Sequence, residues 1–179
     1  MTIANAREAI SYVWLLFVVV WFSAALTTKP RDKSAGMGLG RLPLAIIVVA
    51  AIFLFRRRIG ASWLSLRLLP NSLWLVFPGA ALTIAGMALA FWARFHLGRN
   101  WGPPATMRVG HELVTSGPYA FLRHPIYVGA SVALFGTFLA LGNALMILIM
   151  PVVILRFWLA ARAENRLLAR QFGDRAEQR

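Results

Sequence analysis

Cysteine is absent from the 179-residue chain. That excludes a disulfide framework, a thiolate metal site and a cysteine nucleophile. Charge is scarce too: 14% of residues are charged, where a soluble domain carries about a quarter. Acidic residues number only six, against nineteen Lys and Arg. With 59% hydrophobic residues and a mean hydropathy of +0.67, the composition is that of an integral membrane protein. Its backbone must satisfy its own hydrogen bonds within the bilayer, so helices are expected. The net charge of +13 would suggest nucleic acid in a soluble protein. Here the basic residues fall mainly in the connections and the tail, as membrane orientation demands. No nucleic-acid partner is expected.

Five apolar runs are expected as spans. Residues 10–26 form the first, just long enough to cross a bilayer. The run is longer than a signal-peptide core of about 7–15 residues, so a retained helix is expected despite Arg7 before it and small residues after. Residues 42–55 form a short second run, which can begin as early as Met37 and ends at Arg56-Arg57-Arg58. Residues 61–69 mix Trp and Leu with Ser65 and Arg67, which reads as a segment lying at the interface. Residues 73–95 form the third span. Gly79, Thr83, Gly86 and Ala90 give it one small-residue face.

The fourth span, residues 126–141, repeats that spacing with Gly129, Ala133, Gly136 and Ala140. The two faces either pack together or each packs on another helix. Gly142-Asn143 is a tight turn, and residues 144–161 return antiparallel as the fifth span, kinked at Pro151. The helical pattern continues into a basic tail, with a stop at Gly173. With the tail cytoplasmic, the inner connections and the tail hold twelve Lys and Arg against five outside. The triple arginine lies on the other side in this arrangement. The fold class is therefore an all-α integral membrane protein: about five transmembrane helices, a C-terminal helix hairpin and a cytoplasmic tail helix. Residues 1–72 supply N-terminal membrane helices and basic loops, and residues 73–179 the core that carries the chemistry.

That chemistry concentrates between residues 110 and 129, which hold two of the three histidines and two of the three tyrosines. Polar groups at the mouth of a membrane helix usually have a purpose. The candidates are His111, Glu112, Tyr119, Arg123, His124, Tyr127 and Glu164. The short turn at Gly142-Asn143 lets Glu164 face the 111–127 stretch across a helix hairpin. Three chemistries compete. One is a metal site from His111, His124 and Glu164, although the histidines lack a motif spacing. The second is a nucleophilic enzyme, for which no serine here has a recognised partner base. The third is a pocket for a polar cofactor: Tyr and His give flat faces and hydrogen bonds, Arg a fork for a carboxylate, Glu an acceptor for an amine or ribose hydroxyls. The plain alternative to all three is an interfacial belt of aromatic and basic residues.

The pattern His111-x-Leu113-Val114-x-x-Gly117-x-Tyr119-x-x-x-Arg123-His124-Pro125-x-Tyr127-x-Gly129 resembles the isoprenylcysteine carboxyl methyltransferase family and its bacterial and phospholipid-methyltransferase-like relatives. Glu164-x-x-x-Leu168-x-x-x-Phe172-Gly173 is similar to that family's C-terminal signature, and Ala93-Arg94, Leu97-Gly98 and Trp101 to its lead-in. The likeness covers roughly residues 86–174. It implies S-adenosylmethionine as cofactor, held by His111, Glu112, Leu113, Val114, Tyr119, His124, Pro125, Ile126, Tyr127 and Glu164, with Gly117 making the turn. Arg123 and Glu164 are the expected catalytic residues.

The sequence departs from the family at Asn165, where a second glutamate is usual, and at Ala160, where an arginine would hold the substrate. Arg156 or Arg162 would then take that role. The family's later tyrosines and proline-bearing end are also missing before Arg179. The resemblance thus implies methyl transfer to a lipophilic small molecule or lipidated acceptor at the membrane, with the active site facing the cytoplasm. The rivals are an NADPH-dependent sterol-type membrane reductase and a non-catalytic protein with a degenerate pocket. Ile126 and Ala130 stand where such reductases carry Asn and an acidic residue, which favours the methyltransferase.

Overall fold

A computed structural model describes residues 2–26, 66–98 and 114–172. Among them are four α-helices: α1 (Ile3–Leu26), α2 (Leu73–Leu97), α3 (Pro125–Leu141) and α4 (Ala144–Phe172). A 3-10 turn, Gly117–Ala120, precedes α3. No strand occurs among the described residues beyond one isolated bridge, Arg67 to Asn143. Three helices are long and apolar enough to cross a membrane, within α1, α2 and α4; α3 is shorter. At about 1.5 Å per residue, its 17 residues reach roughly 26 Å, slightly less than a hydrocarbon core. The chain is a membrane protein of helical build. The expected second span, residues 42–55, lies outside the described residues, as do residues 61–65 and Gly173.

Local chemistry sets the helix ends. The Ser72 hydroxyl accepts from the Trp74 amide at 3.3 Å and caps α2. Gly98 closes that helix at φ +51, where a side chain is strained. Pro125 opens α3 at a position whose amide needs no helical partner. Gly142 ends α3 in the left-handed region, its amide donating to Phe138 O at 2.7 Å. Helix α4 runs unbroken through Pro151 and beyond residue 161 to Phe172, so the fifth run and the tail are one element. Helix α1 starts at Ile3, earlier than the apolar run that marks it.

The small-residue faces of α2 and α3 pack on each other, which decides between the two arrangements the spacing allows. A Cβ on Gly86 would lie 2.5 Å from both Ala133 N and Gly129 O; one on Gly136 would lie 2.5 Å from Gly79 O and Thr83 N. Backbone meets backbone here, and the register runs antiparallel from Gly79 against Gly136 to Gly86 against Gly129. Thr83 and Thr137 are buried in this interface. Each hydroxyl bonds a carbonyl one turn back, Gly79 O at 2.9 Å and Ala133 O at 2.8 Å, and the two oxygens lie 3.3 Å apart. The Trp14 indole N–H donates to Thr137 Oγ1 at 3.0 Å, which brings α1 into the same network. Beside it Ile10, Ala80 and Ala140 form a small apolar cluster.

The far end of the bundle is clamped by the segment before α2. The Leu68 amide donates to Gly142 O at 2.6 Å, and the Ala144 amide to Leu66 O at 3.0 Å. Arg7 on α1 donates to Asn71 Oδ1 at 2.6 Å and to Ala140 O at 3.3 Å. These bonds fix the turn that sends α4 back along α3.

Candidate functional site

The opposite end gathers the polar residues. His124 ends the connection before α3, held at φ −131 and ψ 64 by the proline that follows. Its side chain is largely buried, at 16% exposure. Nδ1 lies 3.6 Å from Glu164 Oε2, and Nε2 lies 2.9 Å from Asn165 Oδ1. Both ring nitrogens thus face acceptors, the arrangement an imidazolium satisfies. Burial opposes the charged ring, but the bond and charge of Glu164, aided by Asn165, outweigh it and raise the pKa of His124 above its ordinary value. The neighbouring Arg123 charge works the other way.

An aromatic stack continues from the histidine. The Tyr127 ring lies 5.5 Å from His124 and 5.2 Å from Phe157, nearly parallel to both. Tyr127 belongs to α3 and Phe157 to α4, so the stack ties the two helices just below the polar cluster.

The facing wall is the 3-10 turn. Gly117 sits at φ +60, which the chain needs to enter the turn. Pro118 is fully buried beneath it. Tyr119 is half-buried; burial first, then the Glu164 and Tyr127 side chains, push its phenol above its ordinary pKa. It therefore stays a neutral hydrogen-bonding group at any physiological pH. Its ring stacks 6.5 Å from His96, at the end of α2. His96 Nε2 lies 2.8 Å from Ser116 Oγ.

The structure thus brings Gly117, Tyr119, His124, Pro125, Tyr127 and Glu164 to one end of the bundle. Val114 and Ile126 are half-buried nearby in sequence. His111, Glu112 and Leu113 lie outside the described residues. Arg123 is exposed beside His124. Arg156 is exposed on α4, and the Arg162 guanidinium lies 3.5 Å over the Trp158 ring on the same helix. Ala160 is buried at 9% exposure. Among the described residues, no group of three His, Cys, Asp or Glu stands ready for a metal. Two participants were not singled out from the sequence. His96 carries no motif; its signal is only that a third histidine ends a helix one residue before Leu97-Gly98. Asn165 reads as a departure in the sequence, yet it accepts a hydrogen bond at the centre of the cluster.

The phospholipid methyltransferase family pattern matches residues 74–175, more than half of the chain. The chain belongs to the phospholipid methyltransferase family. The family consists of membrane methyltransferases, and its match spans α2, the turn, α3 and α4. A Schizosaccharomyces pombe protein-S-isoprenylcysteine O-methyltransferase is 41% identical over 69 residues, 38% of this chain and 29% of that protein. The chain therefore aligns with under a third of that enzyme's length. The Bacillus subtilis protein YpbQ, which is uncharacterized, is 30% identical over 121 residues, 64% of this chain and 70% of that protein. No solved structure matches.

Proposed function

We propose that the protein transfers a methyl group from S-adenosylmethionine to a lipophilic acceptor at the membrane interface. The observation that carries this reading is the contact of His124 with Glu164 and Asn165. It joins the two sequence motifs, which lie some forty residues apart, into one polar cluster. The residues present fit such a cofactor. Glu164 is partly exposed and keeps acceptor capacity for an ammonium or for ribose hydroxyls. The Tyr119 ring, stacked on His96 on one side, offers its other flat face to a purine. His111, Glu112, Leu113, Val114, Gly117, Pro125 and Ile126 complete the proposed pocket by resemblance.

When bound, the cofactor would supply a methyl group on a sulfonium, open to a single in-line displacement. The methyl–sulfur bond breaks as the acceptor–methyl bond forms. The chain's own task is to hold two reactants in line and keep water away. Glu164, held by His124, fixes the polar end. Arg123, exposed beside His124, is the fork for an acceptor carboxylate, with Arg156 or Arg162 holding more of the substrate. An amine acceptor would have to arrive unprotonated. The buried Ala160 stands where the resemblance implies a substrate-holding arginine. The acceptor is therefore proposed as a lipid-like molecule reaching the site from the bilayer, with the cofactor entering from the cytoplasm. That orientation follows from the basic connections and tail of the sequence.

Calorimetric titration of the purified protein in detergent tests the reading. Saturable binding of S-adenosylhomocysteine and none of NADPH is expected. NADPH binding without S-adenosylhomocysteine binding would replace it with the reductase reading. Incubation with membrane lipid extract and methyl-labelled S-adenosylmethionine then identifies the acceptor.

A further inference from the structure

His96 is the histidine that the family motifs leave out, yet it meets the turn before α3 in three ways. Its Nε2 lies 2.8 Å from Ser116 Oγ. Its ring stacks on Tyr119, 24° from parallel. It also fills the space that a Gly117 side chain would need: a Cβ there would lie 2.7 to 2.9 Å from three ring atoms. The bonds within the turn are local, from the Tyr119 amide to Ser116 O and from the Phe121 and Leu122 amides to Pro118 O. They shape the turn but do not place it on the bundle. His96, beside the buried Pro118, ties it there, because it belongs to α2, whose position against α3 is fixed by backbone contact at Gly86 and Gly129.

We infer that His96 is a positioning residue: through Ser116, Gly117 and Tyr119 it sets the distance of the loop wall from the His124–Glu164 wall, and so the fit of the methyl donor between them. This rests on the methyl-donor reading of the site. The residue touches neither reactant; it acts through Tyr119.

Two readouts separate the inference from the reading beneath it. The first is amide hydrogen exchange over residues 114–122 in the ligand-free protein, which needs no cofactor. His96→Ala and Ser116→Ala should each speed exchange of the Tyr119 and Leu122 amides, while α3 amides keep their protection. The second is S-adenosylhomocysteine affinity. Each variant should bind roughly three- to ten-fold more weakly, the loss expected for one hydrogen bond. The double variant should be little worse than His96→Ala alone, because the Ser116 bond is already gone there. His96→Gln, whose amide can reach the Nε2 position, should recover most of the affinity. If His96→Ala fails to fold, Ser116→Ala and His96→Gln carry the comparison. Unchanged exchange and affinity in Ser116→Ala, or losses that multiply in the double variant, would overturn the inference. Faster exchange in a protein whose wild type binds no S-adenosylhomocysteine would uphold the positioning role and remove the methyl-donor reading.

Discussion

Replacing Gly86 by alanine tests the α2–α3 interface most directly. The new Cβ would stand 2.5 Å from the Ala133 nitrogen and from the Gly129 oxygen, both backbone atoms with no rotamer to yield. Ordinary contact begins near 3.4 Å, so the helices must part by roughly 0.9 Å at this level. Dispersion contacts along the seam weaken with that separation. The Thr83–Thr137 contact, already 3.3 Å, is stretched with them. A cost of about 2 kcal/mol is expected, within the usual range for overpacking a close-packed interior. In a chain of this size that corresponds to a melting temperature lower by roughly 4–8 °C. The assay is thermal unfolding in detergent, followed by tryptophan fluorescence. Ala88→Val is the control: it adds more volume on the same helix, at an exposed position, and should leave the melting temperature unchanged. If Gly86→Ala melts with the wild type, the two helices are not in backbone contact and the described register is wrong.

Three further outcomes are expected. His124 has a raised native pKa, so its stabilising contribution is complete below the ordinary value of 6.5 and is lost as pH rises through the raised value. The melting temperature of the wild type minus that of His124→Gln should therefore shrink with rising pH across that window, and a constant difference would contradict the ion-pair geometry. Glu164→Gln should weaken S-adenosylhomocysteine binding by about ten-fold or more, as loss of a charged hydrogen bond does; calorimetry at matched pH checks it, and unchanged affinity would remove Glu164 from the pocket. Trp14→Phe should destabilise the fold by about 0.6 kcal/mol, the average worth of an interhelical hydrogen bond in a membrane. In a Thr137→Val background Trp14→Phe should add little, because the acceptor of the indole is already gone.

Much of this arrangement is legible in the sequence because it rests on short-range facts. Glycine and alanine at Gly79, Gly86, Gly129 and Gly136 announce close approach, since a missing Cβ is a property of the residue itself. Which face meets which is not written there; it depends on the turn chain between α2 and α3. The meeting of His124 with Glu164 is legible for the opposite reason. Only Gly142 and Asn143 separate α3 from α4, so two helices of similar rise must return side by side. His96 was not legible. Its partner Ser116 lies 20 residues away across a connection whose path no periodicity specifies. Asn165 stands out in the sequence only as a departure, because a motif counts charges, whereas its role as an acceptor for His124 depends on the fold.

The two walls of the site are held by different means, and this bears on how such a site diverges. The His96 side belongs to α2 and the His124 side to α3, locked together by backbone contact several turns long. Moving either histidine means moving a helix. Helix α4 is placed otherwise: only 11% of its apolar stretch is buried, against 39% for α2, and it meets α3 through the Tyr127–Phe157 stack near the site. Substitutions at the exposed positions of α4 therefore disturb little packing. Both departures from the relatives' pattern, Ala160 and Asn165, lie on α4, as do Arg156 and Arg162. Under the proposed reading, the rigid α2–α3 pair together with Glu164 would hold the constant cofactor, and the exposed positions of α4 would be free to follow a changing acceptor.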